Sequence, residues 1–262
     1  MDLGLSGKRA LVLGATRGLG RGIAEALAGE GATLAITGRK QADAASVAAE
    51  IASGRDATVH GLAFDATDAA SAGALVEAAR SSLGDVDILV LNGGGPPPGP
   101  ITGVAVETWH QQFQAQFISF ATIAGAILPG MRERRWGRVL VSSSSGVVQP
   151  IPNLGISNTL RAGLLAWAKT VSAEVAPDGV TVNTLLPGRI QTDRLNQIDA
   201  SNAERTGQTI EQVRAASLAA IPAGRLGTPE EYGAIAAFLV SDHAAYITGA
   251  MIRVDGGMIR SI

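Results

Sequence analysis

The sequence predicts an α/β protein in which helices cover both faces of a parallel, doubly wound sheet. Two observations predict it. Short apolar runs alternate with longer segments of helical period along the chain, an order that closes as parallel strands joined by helical crossovers. The first run, Ala10-Leu11-Val12-Leu13, leads at once into Gly14-Ala-Thr-Arg17-Gly18-Leu-Gly20, a glycine turn that opens a helix. With 262 residues, 46% hydrophobic and 17% charged, the chain can fill one large core and is read as one unit over 1–262.

The first strand is apolar at every position, as a strand covered on both faces must be. Gly14, Gly18 and Gly20 remove side chains where backbone turns sharply and meets a ligand closely. Ile23 and Leu27, four apart, give the following helix one apolar face. Its N-terminus offers free N–H groups and positive dipole to a pyrophosphate. The spacing is G-x-x-x-G-x-G rather than the commoner G-x-G-x-x-G, so the weight rests on its place between first strand and helix.

Residues 31–39 form the second strand, which ends in Gly38-Arg39-Lys40. In nucleotide folds the adenosine ribose lies at this end, and a cation there accommodates a 2′-phosphate. Arg17 and Arg39 converging on one spot favour NADP(H) over NAD(H); the alternative is that Arg39 and Lys40 are solvated loop charges. A helix follows over 41–53, then a third strand over 58–64 ending at Asp65-Ala66-Thr67-Asp68. Asp65 has two roles open, an acceptor for an adenine amino group or a turn residue, and Thr67 or Asp68 is placed to cap the helix that runs to Leu83.

The fourth strand, 87–91, is wholly apolar after Asp87 and runs into Asn92-Gly-Gly-Gly95-Pro-Pro-Pro98, where the chain can pass close to a ligand. A long helix is expected from Glu107 to about Met131, with Phe113, Phe117 and Phe120 as core and Pro129-Gly130 at its end. The fifth strand, 137–141, precedes four serines, Ser142 to Ser145; a helix over 157–176, a sixth strand over 180–186 and Pro187-Gly188 follow. Residues 189–228 read as a polar, irregular substrate lid with a helical patch near 210–220. Thr228-Pro-Glu-Glu231 starts a helix to about Val240, and 250–254 is the last strand.

Composition excludes several function classes. A net charge of −2 gives no basic surface for nucleic acid. There is no cysteine, and His60, His110 and His243 lack ligand spacing, so no metal site is expected. No leader pattern and no apolar run of spanning length stand out, so a cytoplasmic protein without a membrane partner is the expectation.

With these residues in place, the chain resembles the short-chain dehydrogenase/reductase family, classical type, in its 3-oxoacyl-ACP reductase-like branch. The resemblance runs from about Leu5 to Met258. It rests on Gly14-Ala-Thr-Arg-Gly-Leu-Gly20, Asp65-Ala66, Asn92-Gly93-Gly94, Gly137-Arg-Val-Leu-Val-Ser-Ser-Ser144, Val182-Asn183, Pro187-Gly188, Thr192, and Ile247 through Gly257. It implies a Rossmann-type fold, an NADP(H) cofactor, a small-molecule or carrier-linked carbonyl substrate, and assembly as a homotetramer or homodimer. It also implies cofactor contacts from the turn (Gly14, Thr16, Arg17, Gly18, Leu19, Gly20), from Arg39, from Asp65 and Ala66, from Asn92 and Gly93, and from Pro187, Gly188, Ile190 and Thr192. Leu13 departs from the family's usual threonine.

The active-site pattern departs further. The family uses a tyrosine and, four residues on, a lysine, with an upstream serine and an asparagine. Register from Gly137-Arg138 forward and from Ala162-Gly-Leu backward puts Ser144 at the serine position, Ser157 at the tyrosine, Arg161 at the lysine and Gln116 at the asparagine. Arg161 keeps a cation for the cofactor ribose one turn from Ser157. An aliphatic hydroxyl is a far weaker acid than a phenol. Three readings stay open: an oxidoreductase in which Ser144 and Ser157 polarise a carbonyl beside Arg161, a redox-inactive dinucleotide-binding sensor or partner subunit, and a lyase or dehydratase reusing the pocket.

Overall fold

The computed structural model describes residues 1–55 and 57–261. Seven strands form one parallel sheet: β1 (Arg9–Val12), β2 (Thr33–Gly38), β3 (Val59–Ala63), β4 (Ile88–Leu91), β5 (Gly137–Ser142), β6 (Val180–Pro187) and β7 (Met251–Val254). Their order is β3-β2-β1-β4-β5-β6-β7. Leu11 lies opposite Ala35 of β2 and Leu89 of β4, so β1 is central.

The two-residue period of the strands sorts them into two cores. Leu11, Leu89, Leu91, Val139, Val141 and Val182 face one side; Ala10, Val12, Ile88, Val90, Leu140 and Leu185 face the other. The first side packs on α3 (Ser71–Leu83), α5 (Ser119–Glu133) and α6 (Gly155–Val175). The second packs on α1 (Gly18–Gly29), α2 (Gln41–Ala52) and α9 (Pro229–Leu239). Between them run α4 (Val106–Phe113), α7 (Asp193–Thr206) and α8 (Ile210–Ala219). Strand order reverses at β1/β4, so a crevice opens beyond their carboxyl ends, where ligands bind in sheets of this kind.

Several expectations need correction. The lid is not irregular outside 210–220, for α7 fills most of its first half. Thr192 Oγ1 accepts from the Leu195 N–H, Asp193 lies in the first turn, and Gly207 ends the helix at φ 66°. Thr67 and Asp68 do not cap α3: Ala70 precedes it, and Asp68 Oδ1 instead accepts from the Ala70 N–H. Pro129 sits inside α5 rather than at its end.

Residues 114–118 form a π-turn between α4 and α5, rotating the helix faces on either side. Phe120 is core as expected, but Phe113 is exposed and stacks on the half-buried Phe117 with ring centroids 5.0 Å apart. The run Val106–Glu133 is, by length and composition, long and apolar enough to cross a membrane. Its Phe120, Ile123, Ala124, Ile127 and Met131 are buried against the sheet, the packing of a core helix.

Candidate active site

The glycine turn is held by the groups around it. Gly14 and Gly18 both have φ 58°, the left-handed region that glycine enters at no steric cost. A Cβ on Gly20 would lie 2.4 Å from the Gly14 carbonyl oxygen and 2.6 Å from Asn92 Nδ2. Through that gap the Asn92 amide donates to the Leu13 and Gly14 carbonyls, each at 3.1 Å. The Gly14 N–H donates to Thr37 Oγ1 at 2.9 Å, a support the sequence reading did not find. Arg17 at the N-cap of α1 makes no side-chain capping bond and the first turn holds no acidic residue, so its N–H groups are left for an anion. These features fit a pyrophosphate.

Gly38 at the end of β2 touches the same turn, since a Cβ there would lie 2.6 Å from Thr16 Cγ2. Arg17 and Arg39 are each the next residue beyond this contact, and both are exposed. Leu19 packs against the second core, fixing the turn to α1. Asp65 Oδ1 accepts from both the N–H and the hydroxyl of Thr67, bonds that hold its carboxyl below the usual range. That oxygen therefore has a turn role. Ala66 turns its carbonyl to the Ser119 hydroxyl at 2.8 Å. Gly93 leaves room for the Phe120 ring, which a Cβ would approach to 3.0 Å.

The far wall comes from β6. Pro187 ends the strand, Gly188 passes so close to Asp255 that a Cβ would lie 2.5 Å from its Cα, and Ile190 is buried. Thr192 then lies over Gly18, with its Cγ2 3.5 Å from where a Cβ would be. The adjoining Asp193 reaches Arg17 across the crevice at 3.7 Å.

Arg161 is the central charge of the site. Its guanidinium is buried and spans the ends of two strands, donating to the carbonyls of Ser142 (2.9 Å), Ser143 (3.2 Å) and Gly93 (3.3 Å). Burial pushes its pKa down to about 10, and the neighbouring Arg194 cation adds to the drop. Ser157, four residues earlier, is buried on the same face of α6. Ser144 lies two residues past β5; its Oγ accepts from the Gly146 N–H, which leaves the hydroxyl proton free to donate outward. Gln116 is buried in the π-turn, and its amide donates to Gln112 rather than to either serine. Among the described residues Ser144, Ser157 and Gln116 share no direct hydrogen bond.

Tyr232 of α9 is fully buried on the opposite face of the sheet, where its hydroxyl meets Ser142 Oγ at 3.0 Å and donates to the Leu185 carbonyl at 3.3 Å. Burial pushes that phenol up, so it is a poor proton donor. No metal-ligating cluster of acidic and histidine side chains occurs among the described residues.

A seven-stranded parallel sheet with an uncapped glycine turn at its switch point defines a dinucleotide-binding class of protein. The chain belongs to the short-chain dehydrogenase/reductase family, classical type. A family model described as enoyl-(acyl carrier protein) reductase matches residues 14–259. The chain is similar to the 3-oxoacyl-[acyl-carrier-protein] reductase of Escherichia coli K12, at 36% identity over 98% of this chain and 99% of that one. It is similar to the reductase of the same name from Aquifex aeolicus at 34%, over 98% and 100% of the two chains. L-sorbose reductase of Gluconobacter frateurii, solved with NADPH and L-sorbose, superimposes with a TM-score of 0.93 at 31% identity over the whole of both chains. YwfH, an NADPH-dependent reductase involved in bacilysin biosynthesis, gives 0.92 at 30%, over 98% of this chain and 100% of that one.

Proposed function

We propose that the chain is an NADP(H)-dependent oxidoreductase acting on a carbonyl or alcohol substrate, small or carrier-linked, through an altered proton-handling set. The observation that carries this is the buried Arg161 guanidinium across the ends of β4 and β5, one turn from Ser157 and bonded to the Ser143 carbonyl that precedes Ser144. The turn from Gly14 to Gly20 would receive the pyrophosphate, Arg17 and Arg39 the 2′-phosphate, and Pro187 to Thr192 the nicotinamide end. When bound, the nicotinamide supplies or accepts a hydride.

The chain's own residues do the rest. The free Ser144 hydroxyl proton donates to the substrate carbonyl oxygen, with Ser157 as a second donor. Arg161 supplies a fixed positive charge to ribose hydroxyls and to the developing alkoxide. With no phenol in place, water or a substrate group provides the proton, and loss of a positioned acid of this kind lowers rates about 10²–10⁴-fold. The lid is α7 and α8. A redox-inactive dinucleotide-binding role is the second reading, favoured by the commitment of three Arg161 N–H groups to carbonyls. For assembly, the exposed Phe113, its stacked partner Phe117 and the exposed Ile118 offer an apolar face for a homodimer or homotetramer.

Titration of NADPH fluorescence tests the cofactor, and no change at high protein concentration overturns it. Ser157→Tyr combined with Arg161→Lys is expected to raise reduction of simple ketones by at least about tenfold. A double variant that binds NADPH yet stays as slow as the parent refutes the altered proton-handling set.

A further inference from the structure

A second arginine faces this site from the lid. Arg194, in the first turn of α7, is half-buried and donates from one terminal nitrogen to the Pro96 carbonyl at 2.6 Å. Its guanidinium lies against Gly95, where a Cβ would approach it to 3.0 Å, so the loop after β4 is shaped to admit it. Arg161 holds the same loop three residues earlier, through the Gly93 carbonyl. Both guanidinium groups thus bond the one loop, and the Arg194 cation adds to the lowering of the Arg161 pKa that burial begins.

Neither guanidinium has an ion-pair partner among the described residues. Of the lid's acidic residues, Asp193 pairs with Arg17 and Asp199 with Arg189 and Arg214, and neither Glu204 nor Glu211 pairs with either guanidinium. A guanidinium carries five N–H donors. Arg194 spends one on Pro96, and Arg161 spends three on carbonyls, so six remain between them. Two converging cations with spare donors form a receptor for a planar anion.

The position distinguishes the source of that anion. Arg194 reaches the loop after β4, not the end of β2 where Arg39 lies, and that loop pairs through Gly99 with Leu154 and Gly155 at the start of the helix that carries Ser157. Resting on the oxidoreductase reading above, we infer that Arg194 determines specificity for a substrate carrying a carboxylate near its reacting carbonyl, that is, an oxo acid or the corresponding hydroxy acid.

The test compares an oxo acid with its methyl ester, using NADPH and the full chain, in the parent, Arg194→Gln and Arg194→Lys. The parent prefers the acid, and the acid-to-ester ratio of kcat/KM falls at least about 30-fold in Arg194→Gln and recovers in part in Arg194→Lys. A parent without preference, or a ratio that Arg194→Gln leaves unmoved, overturns the inference. NADPH affinity is measured in the same variants. A loss of more than about tenfold in NADPH affinity with the ratio unmoved assigns the cation to the cofactor phosphate and overturns the inference.

Malonate and neutral malonamide probe the anion site without turnover. Malonate raises the melting temperature of the parent, malonamide does not, and Arg194→Gln abolishes the difference. If no substrate is reduced but this pattern holds, the oxidoreductase reading fails and the anion site stands. If esters and acids are reduced equally and malonate has no effect, the anion site fails and the oxidoreductase reading stands.

Discussion

Asn92 shows what one side chain does for the cofactor turn. Its amide reaches through the space left by Gly20 and ties two carbonyls of the turn to the end of β4. Asn92→Ala leaves both carbonyls short of a donor and is expected to lower stability by about 1–3 kcal/mol, with weaker NADPH binding. Urea denaturation and a fluorescence titration check the two effects. The sequence places Asn92 beside the cofactor by resemblance, but not its work as a clamp, because the bond spans 78 and 79 residues of chain. The bonds of Thr37 and Tyr232 are illegible for the same reason: nothing local in Thr-Gly-Arg or Glu-Glu-Tyr says which remote atom the hydroxyl meets. That Ser157 and Arg161 share one face of α6 was legible because four-residue spacing on a helix is a local fact, while their link to the active site came only from register with the family pattern.

At the scale of elements, the proposed lid is held by a buried carboxylate. Asp199 of α7 bonds Arg189 from the segment after β6 and lies 3.7 Å from Arg214 of α8. Asp199→Asn leaves Arg189 without a counter-charge and is expected to loosen the lid by about 1–3 kcal/mol. The expected readouts are faster proteolysis within 189–226 and a raised KM with kcat less affected; an unchanged cleavage rate would count against the staple. The same aspartate explains why α7 was missed. Its buried positions are Leu195, Asp199 and Ala203, and an acid in the middle of that stripe conceals the helical period. The strands and α9 were legible because apolar runs, Thr228 at the cap and Pro229 at the first helical position carry their signals locally.

At the scale of the whole molecule, charge secures the amino-terminal ends of the inner strands β1 and β4, away from the crevice. Asp87 accepts from the Arg9 backbone N–H and from its guanidinium at 2.7 Å, and lies 3.4 Å from Arg134. Burial alone pushes the Asp87 carboxyl up, but the Arg9 hydrogen bonds outweigh it and hold it below the usual carboxylate range. Glu231 is drawn down to about 2 by Arg225 and the Thr228 N–H. Carboxyls depressed in the folded state add stability that is complete above their unfolded values and is lost as pH falls through the folded ones. Thermal stability is therefore expected to hold down to about pH 5 and fall steeply below pH 4. Asp87→Asn should flatten part of that fall and cost about 2 kcal/mol at neutral pH.

The grip of Arg161 on Ser142, Ser143 and Gly93 makes the residue proposed as the cofactor's cation a rivet as well. A lysine in its place carries its donors on a single atom, which cannot reproduce a planar fork laid across two strand tips. Engineers who restore the ancestral-looking pair for speed should therefore find the rim of the sheet softer, so that gains in turnover arrive together with a lower heat tolerance.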